Sequence, residues 1–251
     1  MHFTRVDCDI YDGSKSSEGG ESFAVLNPSG TPGCAVLGMT SAARDGVSSH
    51  VASRLALEHY LDSIQNFFQT KSINQTSIEL QTDLNLEVLE DAFREANRSV
   101  YEFGHKLAAG GRMAASLMGV VLCGDVIAAG KADTGNAYLI RRGEVVPFFV
   151  EDAALNDKGK QQNYVGAHSM VNVELSSIFL ESNDRIVVFS RSLTENEESK
   201  FIDLAPGLDT TVVKPAKLFA EKIFSRSSEP PSIFVISIGP AGIYLSEEIA
   251  V

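Results

Sequence analysis

Residues 111–150, GRMAASLMGVVLCGDVIAAGKADTGNAYLIRRGEVVPFFV, decide the fold. Short runs of Val, Ile, Leu, Phe and small residues alternate there with Gly124-Asp125, Asp133-Thr134-Gly135 and Arg142-Gly143-Glu144. Apolar runs of strand length, punctuated by tight-turn residues, predict four consecutive antiparallel strands joined by hairpins. A sheet of that kind needs one apolar face covered. Two amphipathic stretches upstream can cover it. The first runs from about Val47 to Phe68, with Val51, Leu55, Leu61, Ile64 and Phe68 as apolar weight and Ala52 and Ala56 allowing close approach. In the second, Leu86, Leu89, Phe93, Ala96, Val100, Phe103 and Leu107 recur in alternating threes and fours, the spacing of one buried helix face. Asp83 or Asn85 is available as its N-cap, and Gly110-Gly111 ends it. Residues 70–85 read as a polar connection between the two helices.

Outward from this centre, residues 1–11 hold a possible first strand. SFAVL (22–26) and GCAVLG (33–38) read as two more, and MTSAARDG (39–46) as a loop into the first helix. Beyond the central segment, residues 151–166 form a long loop. Residues 173–180 and 185–189 make a strand pair about a turn at Ser182-Asn183-Asp184. SLTENEESKFIDL (192–204) predicts a short acidic helix with a solvated face, and PAKLFAEKIF (215–224) another with Pro in its first turn. Residues 232–238 and 242–245 close the chain as a final strand pair. Strands, two long helices, many strands, short helices and strands again is an α+β order, unlike the regular βαβ alternation of a parallel sheet. No internal repeat, linker or composition break divides the chain, so residues 1–251 read as a single domain.

Composition narrows the function by exclusion. Of 251 residues, 44% are hydrophobic and 22% charged, as in ordinary globular proteins. No apolar run approaches the roughly 18–20 residues of a membrane span, and the first residues lack a signal peptide's apolar core. A cytoplasmic protein without a membrane partner is the expectation. A net charge of −12 argues against nucleic acid, whose phosphates require clustered Lys and Arg. Cys8, Cys34 and Cys123 are too few and too scattered for a disulfide framework or a zinc cluster, and read as buried free thiols. The histidines show no metal-ligand spacing with one another or with the cysteines.

Five segments, in order, resemble the PPM-type, metal-dependent Ser/Thr protein phosphatases (type 2C). AVLGMTSAARDGVSSHVASRLALEHYLDSI (35–64) is similar to that family's strand, Asp-Gly-rich loop and first helix, most closely over VASRLA. EDAFREANRSVYEF (90–103) is similar to its second helix, and residues 110–148 to the stretch that contains its Gly-Asp-Ser-Arg motif. NYVGAHSMVNVELSSIFLESNDRIVVFSRSLTENEE (163–198) resembles the run through Ser-Asp-Gly-Leu-Thr-Asp, and EPPSIFVISI (229–238) stands where Asp-Asn-Ile-Thr is usual. The resemblance implies a four-layer α/β/β/α sandwich, two antiparallel sheets between pairs of helices. It also implies a site where aspartates hold two Mg²⁺ or Mn²⁺ ions about a nucleophilic water.

Position by position, the site residues depart from that pattern. Glu21 stands at one ligand aspartate, one methylene longer. Ser41 stands at the aspartate of the Asp-Gly-rich loop, with Asp45 near enough to substitute if the loop shifts. The aspartate of Gly-Asp-Ser-Arg falls on Thr134 or, with a slip, on Asp133; that of Ser-Asp-Gly becomes Arg191, and that of Asp-Asn-Ile-Thr becomes Glu229. Lys15 lies one position from the family's phosphate-binding basic residue. Arg191 weighs most, because hard divalent ions need carboxylate oxygens and Arg cannot shed its charge. Two unit charges about 4 Å apart interact by about 4 kcal/mol at an effective dielectric near 20, so one or two surviving carboxylates cannot offset a guanidinium. Arg191 would either bridge Glu21 and Glu229 in place of the metals or lie in water. The expectation is a catalytically inactive pseudophosphatase without a metal cofactor, acting as a protein-binding or regulatory module. Its partner would be a protein: a kinase, a phosphoprotein or an active phosphatase. The alternative is an active phosphatase with an altered Mn or Mg site built from Glu21, Asp45, Asp133 and Glu229.

Overall fold

In a computed structural model the described residues are 5–13, 21–28, 34–44, 46–70, 78–107, 113–149, 163–208, 214–225, 227, 230–239 and 244–245. They form two compact units, each a mainly antiparallel sheet with a pair of helices on one face. Residues 1–18, 135–148 and 179–251 make one; residues 19–134 and 149–178 make the other.

The second unit contains the five-stranded sheet, in the order β2 (Ser22–Leu26), β3 (Cys34–Ala42), β4 (Ala115–Cys123), β5 (Val126–Ala132), β8 (Glu174–Phe179). Its helices are α1 (Val47–Thr70) and α2 (Ile78–Lys106). Strand residues Val36, Leu117, Val121, Ala128 and Ala132 meet Ala52, Ala56, Ile64, Leu89, Phe93 and Ala96 of the helices in one buried cluster. Tyr60 is the keystone of that contact. Its ring lies over Gly38 and Gly119, where an added Cβ would stand 3.0 and 2.4 Å from Tyr60 atoms, and its hydroxyl donates to the Leu37 carbonyl at 3.1 Å. Phe93 meets the same ring edge to face at 5.6 Å.

The first unit contains β11 (Tyr244–Leu245), β1 (Arg5–Tyr11), β10 (Ile233–Gly239), β9 (Arg185–Phe189), β6 (Asn136–Arg141) and β7 (Glu144–Pro147), in that spatial order. Its helices are α3 (Glu195–Leu204) and α4 (Pro215–Ile223). Phe201 on α3 centres an aromatic cluster, with ring centroids of Tyr138 at 4.8 Å and of Phe189 and Phe219 at 5.3 Å. Asp9 on β1 accepts the Ala216 N–H at 2.8 Å, supplying α4 with the cap that Lys214 does not. Asp184, only 2% exposed, is held by Arg141 Nε and Nη2 at 2.9 and 2.6 Å and by the Glu181 N–H at 2.7 Å.

Several boundaries differ from the sequence reading. The segment from β4 to β7 is two hairpins rather than a four-stranded meander. Asp133 (φ 73°) and Gly135 (φ 124°) carry the chain from one sheet to the other. The same division separates β8 from β9, whereas β10 and β11 share one sheet but flank β1 instead of pairing with each other. Strand β3 continues through residues 39–42, read as loop, because β4 offers partners from Met118 to Ala115. Helix α2 starts at Ile78, inside the supposed connection. Asn85 is therefore no cap: it is 1% exposed, donates to the Val126 carbonyl at 3.3 Å and accepts from Gln81 at 2.9 Å. Among the described residues, no helix is long and apolar enough to cross a membrane.

The cysteine reading changes as well. Cys34 and Cys123 face each other on β3 and β4, Cα atoms 4.1 Å apart, both buried and joined as a disulfide. Their separation of 89 residues in sequence hid the pairing, which only the strand register reveals. Under denaturing, non-reducing conditions iodoacetamide is expected to label Cys8 alone; labelling of all three cysteines would refute the crosslink. Prior reduction should expose all three and lower folding stability by about 2–4 kcal/mol.

Candidate functional site

Strand register explains where the expected site residues fall. Ser22 pairs with Thr40, Ser41 with Ser116, and Leu117 with Ala132. One step on, the antiparallel registers bring Glu21, Ser41, Ser116 and Asp133 to one level across four adjacent strands of the five-stranded sheet. Three of the positions singled out from sequence therefore share one sheet end. Asp45, Glu229 and Lys15 lie outside the described residues.

The groups along this row already have partners. Ser41 Oγ lies 2.6 Å from Ser116 Oγ, and a hydroxyl is a poor substitute for the carboxylate a hard cation needs. Asp133 accepts the Asn163 N–H at 3.2 Å. Burial first, and then the Asp133 carboxylate, push the Tyr164 hydroxyl above its ordinary pKa, while Arg44 pulls the other way. Among the described residues, no three His, Cys, Asp or Glu side chains converge as a metal-binding group.

In the other unit, Arg191 follows β9 and precedes α3. Its Nη1 and Nη2 each donate to one oxygen of Glu197 at 2.9 Å, and Nη1 also donates to the Ser192 carbonyl at 3.0 Å. The guanidinium carbon lies 5.5 Å from the Phe224 ring centroid. The carboxylate partner of Arg191 is Glu197, which neither the expected bridge to Glu21 and Glu229 nor the expected solvated side chain named. Glu197 also accepts the Thr194 N–H at 2.9 Å, while Thr194 Oγ1 accepts the Glu197 N–H at 3.4 Å. That reciprocal capping box starts α3, so the residue that caps the helix also neutralises Arg191. Of the acidic face read as solvated, Glu198 accepts from the Tyr138 hydroxyl at 2.8 Å. Thr194-x-x-Glu197 is a capping-box spacing visible in the sequence, and it was the signal that could have found Glu197. The described groups do not fit the aspartate set of a two-metal centre.

No protein-family model and no curated protein matches this chain. Solved structures do. A bacterial serine phosphatase aligns over 95% of this chain and 98% of its own, with a TM-score of 0.70 and 12% identity. The Ser/Thr phosphatase of S. agalactiae aligns over 95% and 100%, at 0.64 and 16%. The catalytic domain of the Ser/Thr phosphatase PstP, solved with two manganese ions, aligns over 94% and 97%, at 0.64 and 14%. The chain thus has the fold of the PPM-type (PP2C) Ser/Thr phosphatases. At such identities the likeness is one of fold, and chemistry must be argued from the residues above.

Hydrogen bonds from Arg191, chiefly, hold the Glu197 carboxyl at about 2, against an ordinary 4.5; partial burial opposes them. A depressed carboxyl pKa stabilises the folded chain above the unfolded value, and the contribution fades as pH falls toward the folded one. Glu197→Gln should therefore cost about 1–2 kcal/mol at pH 7, and the difference from wild type should shrink between about pH 5 and pH 2. Chemical denaturation across that range measures it; a gap independent of pH would show that the ion pair contributes nothing.

Proposed function

We propose that this chain is a pseudophosphatase: a PPM fold that binds another protein and does not hydrolyse phosphate esters. The observation that carries the reading is Arg191, held by both oxygens of Glu197 at the position where the resemblance places a metal-binding aspartate. A fixed cation there repels a divalent ion by an amount similar to what the missing carboxylate would have contributed. Ser41, neutral and turned to Ser116, supports the same conclusion from the other sheet. With no resident metal, the scaffold's remaining capacity is recognition. The partner class is a kinase, a phosphoprotein or an active phosphatase, met in the cytoplasm by a chain that acts as one domain. Under the competing reading, Glu21 and Asp133, which share one sheet end, would anchor Mn²⁺ or Mg²⁺ in an altered active site.

Purified protein assayed with p-nitrophenyl phosphate and a phosphopeptide should show no turnover above background with Mn²⁺ or Mg²⁺. Metal-dependent turnover that vanishes in Glu21→Ala would replace this proposal with the altered-site enzyme.

A further inference from the structure

The five-stranded sheet ends at β8, and among the described residues no strand pairs with its outer edge. At six residues, β8 is the longest of the four edge strands; β2 has five, β7 four and β11 two. Folded chains protect such edges with proline, lysine, bulges or shortness, because unpaired backbone groups invite another strand. Strand β7 ends in Pro147 and β11 is short. Strand β8, ELSSIF, contains neither proline nor a cation. Its one charge, Glu174, is matched by Lys131 Nζ at 3.4 Å.

Register decides which backbone groups of β8 face outward. The two-residue turn Gly124-Asp125 makes Cys123 and Val126 a hydrogen-bonded pair. Val126, Ala128, Gly130 and Ala132 therefore direct N–H and C=O toward β4, and Ile127, Ala129 and Lys131 direct theirs toward β8. Lys131 meets Glu174 across the two strands, and a Cβ on Gly130 would stand 2.9 Å from Leu175 Cδ2. Glu174, Ser176 and Ile178 are thus the residues turned to β5, and Leu175 and Ser177 present N–H and C=O to the open side. Val173 and Leu175 pack partly buried against the core under α2. Phe179, on the same face by the two-residue period, is 46% exposed.

We propose that β8 pairs antiparallel with the β8 of a second copy, about a two-fold axis at Ser176, so that two sheets become one. Leu175 then stands opposite the partner's Ser177, and each of the symmetry-related pairs exchanges both backbone hydrogen bonds. The Phe179 carbonyl already accepts from Arg141 Nη2 at 2.6 Å, so Leu175 and Ser177 carry the new ladder. Val173 comes opposite the partner's Phe179, apolar against apolar on the face toward the helices. No like charges are opposed. Glu174 faces the partner's Ile178, and the two copies of Glu174 lie about 13–14 Å apart along the strands, beyond the ~10 Å screening length at 0.1 M salt. A two-fold contact uses both free edges, so association closes at the dimer. The inference is independent of the binding role proposed above, since an enzyme or a pseudophosphatase can dimerise this way.

Sedimentation equilibrium on the full chain tests it. Wild type should dimerise reversibly, and more tightly as salt is raised, because each copy carries −12. Ser177→Pro removes an outward N–H that β5 does not use. Its circular dichroism should therefore match wild type, while dimerisation weakens at least about ten-fold. Ser176→Cys, at the axis, should form an intermolecular disulfide on mild oxidation that wild type does not, since a non-hydrogen-bonded pair brings Cα atoms to about 4.5 Å. Ser177→Cys, off the axis, should not. A wild type that stays monomeric at every concentration reached would overturn the inference. So would a dimer that Ser177→Pro leaves unchanged, or one that loosens as salt is added.

Discussion

A guanidinium stays charged at any physiological pH, and the turn that carries Arg191, whose side chain is 31% exposed, provides an anion within reach. Glu197 provides both of its oxygens, and it lies in the first turn of α3, where a carboxylate also satisfies the Thr194 N–H. One side chain thus neutralises the cation and starts the helix. Phe201, four residues further along α3, then reaches the Tyr138–Phe189 face of the sheet. Local electrostatics, helix initiation and core packing converge on this corner of the unit, and each constrains what the others can become.

A comparable economy governs the other unit. Tyr60 can lie flat on the sheet only because Gly38 and Gly119 present no side chain beneath it. Its buried hydroxyl is tolerable only because the Leu37 carbonyl accepts from it. The ring then fixes α1 over β3 and β4, while Phe93 fixes α2 against α1.

Much of this was legible in the sequence, and the failures share a cause. Helix α1, both short helices and most strand positions follow from periodicity and turn residues, which are local signals. The motif order carried the fold family. Pairing partners were not legible, because β5 and β6, like β8 and β9, are neighbours in sequence but belong to different sheets. A tight turn at residues 133–135 looks the same whether it reverses a hairpin or passes the chain to another sheet. The Cys34–Cys123 contact was missed for the same reason, since only register brings those residues together. Of the site, the substitutions at Glu21, Ser41 and Arg191 were readable, but the partners Ser116 and Glu197 were not identified. Ser116 needed the β3–β4 register, whereas Glu197 needed only that its capping-box spacing be read together with the arginine before it.

Manganese-soaked crystals, examined by anomalous scattering at the manganese edge, test most directly whether the scaffold has kept its metal chemistry. The account predicts no manganese peak within coordination distance of Glu21 or Asp133, with Arg191 on Glu197. Two manganese ions bound by those carboxylates, with Arg191 released from Glu197, would contradict it.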